Sequence, residues 1–129
     1  MAVDAKLWVP SDVYVNLMPP IPDPVLVSVA AIAFLTNQSE AEATVCVGRP
    51  CDVHRWKITD AQGNLIQEQE PQNCPHLVVT EALAPHETIR GDGVLPLNGT
   101  RLEDGQRYTV HYWFWGLEAT DRFVVHHVF

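Results

Sequence analysis

At 129 residues, with eight Lys and Arg against sixteen Asp and Glu, the chain has a formal charge of −8. That length fits one domain, residues 1–129, with a single two-layer core. An acidic chain without a basic run is a poor match for nucleic acid or an anionic membrane surface.

The hydrophobic fraction of 47% excludes wholesale disorder. Ten prolines and seven glycines, scattered rather than repeated, suit short strands joined by turns. The chain begins Met1-Ala2-Val3-Asp4-Ala5-Lys6, with an early acid and no apolar h-region, so a cytoplasmic protein is expected. A chain whose leader had been replaced by Met1 would instead be periplasmic or exported. The longest apolar stretch, Val25 to Leu35, is too short for a membrane helix, which needs about 20 residues.

Residues 5–17 alternate loosely through Leu7, Val9, Val13, Val15 and Leu17, and Pro10 predicts a kink in this first strand. Residues 18–24 hold four prolines and form an extended connector. Val25 to Thr36 is apolar on both faces and reads as a central strand, covered twice or meeting another protein on its outer face. Ala43 to Val47 is a short strand before the turn Gly48-Arg49-Pro50. Asp52 to Thr59 alternates, with His54, Trp56 and Ile58 on the core face. Asp60-Ala61-Gln62-Gly63-Asn64 predicts a type I turn with a G1 bulge, Gly63 taking the left-handed position and Ile58 facing Ile66.

Further strands follow at Leu77 to Thr80, Thr88 to Arg90 and Val94 to Leu97, the last two separated by Gly91-Asp92-Gly93. Leu102-Glu103-Asp104-Gly105-Gln106-Arg107-Tyr108 has the form of a tyrosine corner. The richest strand signal is Arg107 to Trp115, ended by Gly116, and the last strand is Arg122 to Phe129. The expectation is an all-β fold: an immunoglobulin-like antiparallel β-sandwich of about eight or nine strands.

Three groups of side chains are candidates for function. With a six-residue loop at residues 116–121, Trp115 would face Arg122, Trp113 would face Val124 and His111 would face His126. Trp113, Trp115 and Arg122 then form an aromatic face with a cation–π contact, able to anchor a partner protein or a second copy. The alternative is that the Pro-rich connector folds over that face. The pair His111 and His126 is a weak candidate for zinc or copper, since two ligands are not a site and no third falls at a motif spacing. Among the cysteines, Cys46 with Cys51 and Cys51 with Cys74 are alternative disulfides, and three reduced thiols are a third arrangement.

Asn37-Gln38-Ser39 and Asn98-Gly99-Thr100 match glycosylation acceptors but read as turns. No catalytic motif is present, so neither catalysis nor a cofactor is expected.

Residues 26–115 resemble the bacterial intracellular proteinase inhibitor family of the BsuPI type. The matching pieces are Phe34-Leu35-Thr36-Asn37-Gln38-Ser39, Trp56 to Ile66, Leu83-Ala84-Pro85-His86-Glu87-Thr88, and Gly105 with Tyr108 and Val110. The resemblance implies the sandwich and a non-catalytic protein partner such as a protease. Entry into a protease cleft needs a rigid exposed loop. Val47-Gly48-Arg49-Pro50 is the first candidate, with Arg49 protruding, and residues 73–76 are the second.

Overall fold

The structure, a computed structural model, describes residues 2–129; Met1, the first residue of the expected domain, lies outside the described residues. Ten strands form: β1 Val3–Trp8, β2 Asp12–Asn16, β3 Leu26–Asn37, β4 Ala43–Val47, β5 His54–Thr59, β6 Leu65–Glu68, β7 Val79–Leu83, β8 Thr88–Asn98, β9 Arg107–Phe114 and β10 Leu117–Val128. Among the described residues two short 3-10 turns interrupt them, at Pro50–Val53 and Gly99–Arg101.

The strands make a three-stranded sheet (β1-β3-β8), a five-stranded sheet (β2-β10-β9-β5-β6) and the ribbon β4-β7. The fold is an all-β sandwich. Every pairing is antiparallel except β2 with β10, which is parallel. Pro10 explains the tenth strand. It ends β1, and the chain re-enters as β2 in the other sheet, so the predicted kink is a switch between layers.

The two inner faces are complementary in size. The larger sheet presents Trp56, Ile58, Tyr108, Val110, Tyr112, Phe114, Phe123 and Val125. The smaller sheet answers with Ala31, Ala33, Leu35, Leu95 and Leu97, and with Gly91 and Gly93 on the same face of β8. A Cβ on Gly91 would come within 2.6 Å of the Phe114 ring, and one on Gly93 would overlap the Tyr112 hydroxyl. The glycines therefore do not break the strand, as the sequence suggests. They make room for aromatic rings, and Thr88–Asn98 runs as one strand.

The tyrosine corner is present: the Glu103 N–H donates to the Tyr108 hydroxyl at 2.8 Å. The turn after β5 also forms as expected, with Gly63 at φ 85° and its N–H donating to the Asp60 carbonyl at 3.0 Å. The Asn64 and Gln62 N–H groups donate to the Asp60 carboxylate, which holds its pKa below the ordinary range. A bulge shifts the register beyond the turn, so Ile58 faces Gln67 rather than Ile66.

β3 is the central strand of its sheet but is covered on one face only. Leu26 on its outer face is 73% exposed.

Gly93→Ala should destabilise the fold by about 1–3 kcal/mol through overpacking against Tyr112. Tyr108→Phe should cost about 1–2 kcal/mol by stranding the Glu103 N–H. Urea unfolding of each variant checks both values.

Candidate functional site

The candidate site is built on β9, whose side chains alternate. Tyr108, Val110, Tyr112 and Phe114 enter the core, while Arg107, Thr109, His111 and Trp113 point outward. The neighbouring strand positions follow from the register. Trp113 lies between Arg55 and Glu118, His111 between Lys57 and Thr120, Thr109 between Thr59 and Arg122, and Arg107 beside Val124.

Trp113 is partly buried, with cations on one side: Arg55 Cζ lies 5.7 Å and Lys57 Nζ 5.8 Å from its ring centroid. Both are cation–π distances. Neither cation has a carboxylate within 4.0 Å among the described residues. Beside Trp113 opens a hollow of ≈ 680 Å³, bordered by the segment Glu68 to Gln72 and by Arg49 and Cys51. The Pro-rich connector is not its cover. That segment lines a separate hollow with Tyr14, Asn16 and Leu26.

Several expected contacts are corrected by one turn. β9 and β10 are joined by two residues, Trp115 and Gly116, rather than by a six-residue loop. Both have positive φ, 53° and 80°, as a type I′ hairpin requires. Trp115 thus leaves the outer face and packs against the edge of the core, its N–H donating to the Val53 carbonyl at 3.0 Å. The expected Trp115–Arg122 contact does not form, since Arg122 faces Thr109. Arg122 remains on the outer face, two rows from Trp113.

The same turn separates the histidine pair. His111 faces Thr120 in β10, and its Nε2 lies 3.0 Å from Thr59 Oγ1. His126 faces Tyr14 in β2, stacks on that ring at 5.1 Å and contacts Asp12 Oδ1 through Nε2 at 2.7 Å. Among the described residues no group of three His, Cys, Asp or Glu is placed to hold a metal ion.

Arg49 does not protrude. It caps the 3-10 turn Pro50–Val53 and folds back on Asp52, with Nε–Oδ2 at 3.2 Å and Nη2–Oδ1 at 3.3 Å. Of the alternative disulfides the structure contains Cys51–Cys74, with Cα atoms 6.3 Å apart; Cys46 is free and exposed. The bridge ties the segment after β6 to the turn that carries Arg49.

Asn37 is fully buried. Its amide donates to the Ala41 carbonyl at 2.8 Å and accepts from Ser39, so Asn37-Gln38-Ser39 is a turn with no free amide.

One titratable pair was not singled out by the sequence: His54 Nδ1 lies 2.6 Å from the Tyr112 hydroxyl. Burial pushes the Tyr112 pKa up to about 12. Burial likewise lowers that of His54, against the raising effect of Asp92. The pair packs against Phe114 and Gly91 rather than lining the hollow beside Trp113. A neutral imidazole accepting from a protonated phenol is a core contact. Placing His54 next to large inward rings was the only sequence signal for it.

No protein-family model and no curated protein matches the chain. Its structure is similar to part of a β-glucosidase from Listeria innocua in complex with glucose, at 12% identity and a TM-score of 0.49, over 98% of this chain and 16% of that one. It is also similar to a Bordetella pertussis protein provisionally named ApaA, at 19% identity and a TM-score of 0.47, over 95% and 94% of the two chains. A Bacteroides uniformis β-glucuronidase aligns at 12% identity and a TM-score of 0.44, over 92% of this chain. The chain spans 16% and 12% of the two glycosidase chains. Among the described residues no helix is long and apolar enough to cross a membrane.

His54 predicts a pH dependence. Its folded pKa lies below the unfolded value of 6.5, so its neutral form stabilises the fold fully above 6.5. That contribution should fall as pH drops below 6.5, because the unfolded chain takes up a proton that the folded chain refuses. Urea midpoints at pH 7.5 and 5.5 should differ less in His54→Gln than in the unmodified protein. Cys51→Ser/Cys74→Ser opens a loop spanning 23 residues and should cost about 3 kcal/mol by loop-closure entropy. Thermal unfolding of the double variant measures it.

Proposed function

We propose that this chain is a non-catalytic module that docks another protein on the outer face of the β2-β10-β9-β5-β6 sheet, with Trp113 as the anchor. One observation carries this reading: Trp113 lies on an uncovered sheet face with Arg55 and Lys57 against its ring, both without an acidic partner among the described residues. Tryptophan and arginine at the centre of a surface patch are where binding energy concentrates. A folded strand that spends an outward position on tryptophan leaves part of a large apolar ring in water, and docking removes that remaining exposure.

The inhibitor version of this reading rests on resemblance. Arg49 pairs with Asp52 instead of projecting freely from the loop, which favours an inhibitory contact through the sheet face or residues 73–76.

A second reading, self-assembly, is favoured by a different surface. On the outer face of β1-β3-β8, Leu26 is 73% exposed, Val94 62% and Trp8 49%, and β3 joins them in one sheet.

Native mass by light scattering separates the two. For the docking module the protein should remain a monomer at high concentration, and Trp113→Ala should weaken partner binding by tenfold or more, about 1.4 kcal/mol, without changing the mass. An oligomer that dissociates in Leu26→Ser/Val94→Thr but not in Trp113→Ala would favour assembly through the smaller sheet.

A further inference from the structure

Charge is segregated on this molecule. The outward positions of the five-stranded sheet carry four of the eight Lys and Arg side chains, Arg55, Lys57, Arg107 and Arg122, but only three of the sixteen acids, Asp12, Glu68 and Glu118. The four cations have no carboxylate within ion-pair distance among the described residues, whereas Asp12 is engaged by His126 and Glu118 lies 4.0 Å from His111. Bases are scarce in this chain, and half of them face one way.

The register adds an order to the cations. Four successive outward positions of β9 are Trp113, His111, Thr109 and Arg107. The row through Trp113 holds Arg55, the row through His111 holds Lys57, the row through Thr109 holds Arg122, and the last is Arg107 itself. There is one cation in every row, and three of the rows also hold an acid on a flanking strand, Glu118, Glu68 and Asp12. Outward positions on a strand repeat about every 6.8 Å, and so do the side chains on one face of any extended peptide. We infer that the face binds an extended acidic polypeptide segment, with carboxylates at alternate residues meeting successive rows and an apolar side chain covering Trp113. This rests on the docking reading above and deepens it by naming the partner's chemistry.

Other occupants fit less well. A nucleic acid backbone carries a phosphate at every nucleotide, more than four cations can neutralise, whereas an extended peptide can set its carboxylates only opposite the cations. A second copy could offer its own acidic surface, but that contact joins two different patches and would give rings or filaments, which the mass measurement detects.

The experiment uses fluorescein-labelled twelve-residue peptides and the full chain, read by fluorescence anisotropy at 50 and 500 mM salt. The probes are a peptide with Glu at alternate positions, Ser between them and one central Leu; its lysine counterpart; an uncharged counterpart; and a heparin fragment. The expected result is binding of the alternating Glu peptide alone, weakened at high salt. Arg55→Gln/Lys57→Gln and Arg107→Gln/Arg122→Gln should each lower its affinity by about tenfold. All four substitutions are on outward positions, and circular dichroism verifies that the fold survives. Preference for heparin over the peptide, an affinity in both double variants unchanged from the unmodified protein, or salt-sensitive oligomers in place of peptide binding would overturn the inference. If the uncharged peptide binds and Trp113→Ala abolishes it, the acidic partner is wrong and the docking face stands. If no peptide binds and Trp113→Ala changes no partner interaction either, both fall.

Discussion

The turn at Trp115 and Gly116 governs the arrangement of the larger sheet. Two residues between β9 and β10 leave one register, with Phe114 opposite Leu117, and every outward neighbour of β9 follows from it. A side chain as large as tryptophan in the left-handed region costs about 1–2 kcal/mol. The fold offsets that by packing the ring against the core edge and by using the Trp115 backbone N–H on the Val53 carbonyl. The strain fixes the alignment that leaves Arg122 level with Thr109 and parts His111 from His126.

β9 couples this face to the core, because inward and outward residues alternate along the same backbone. Tyr112 and Phe114 seat against β8 only because Gly91 and Gly93 carry no side chains there. Trp113 sits between those two rings in sequence. Its outward pose is therefore anchored by the close packing of Tyr112 and Phe114 on Gly93 and Gly91, and a group held this way loses little freedom on binding. On one flank the Cys51–Cys74 bridge holds the segment that borders the hollow beside it.

Local chemistry was legible in the sequence where a residue type has one structural use. Gly63 after Asp60 specified its turn, Gly105 with Tyr108 specified the corner, and Trp56 on an alternating run specified a core position. What failed were features set by distant partners. Nothing local marks Trp115 as a left-handed turn residue. Leu117 to Asp121 lacks strand composition and becomes strand only because β9 is there to pair with it. Gly91 and Gly93 look like breakers until the rings across the core are known. Arg49 looks free because its pairing with Asp52 depends on a 3-10 turn. The site divides the same way: alternation set Trp113, Arg55 and Lys57 on the outward faces of their strands, but which of them are neighbours, and that Arg122 lies level with Thr109, came only from the register.

The segregation of charge also has a consequence at long range. With half of the bases on one sheet face and most of the acids elsewhere, the molecule carries a dipolar field on top of its net charge of −8. An approaching acidic segment is repelled by most of the surface and attracted by one face, so orientation is selected before contact. Such steering acts mainly on the association rate and is screened beyond about 8 Å at physiological salt. Close in, the terms change. The guanidinium and ammonium groups beside Trp113, without an acidic partner among the described residues, keep one side in water, so pairing them needs no ion pair among those residues to be broken first. A face built from cations already matched to neighbouring acids would have to lose those contacts before gaining new ones. Leaving Arg55 and Lys57 against an aromatic ring holds them in place while keeping their charge available.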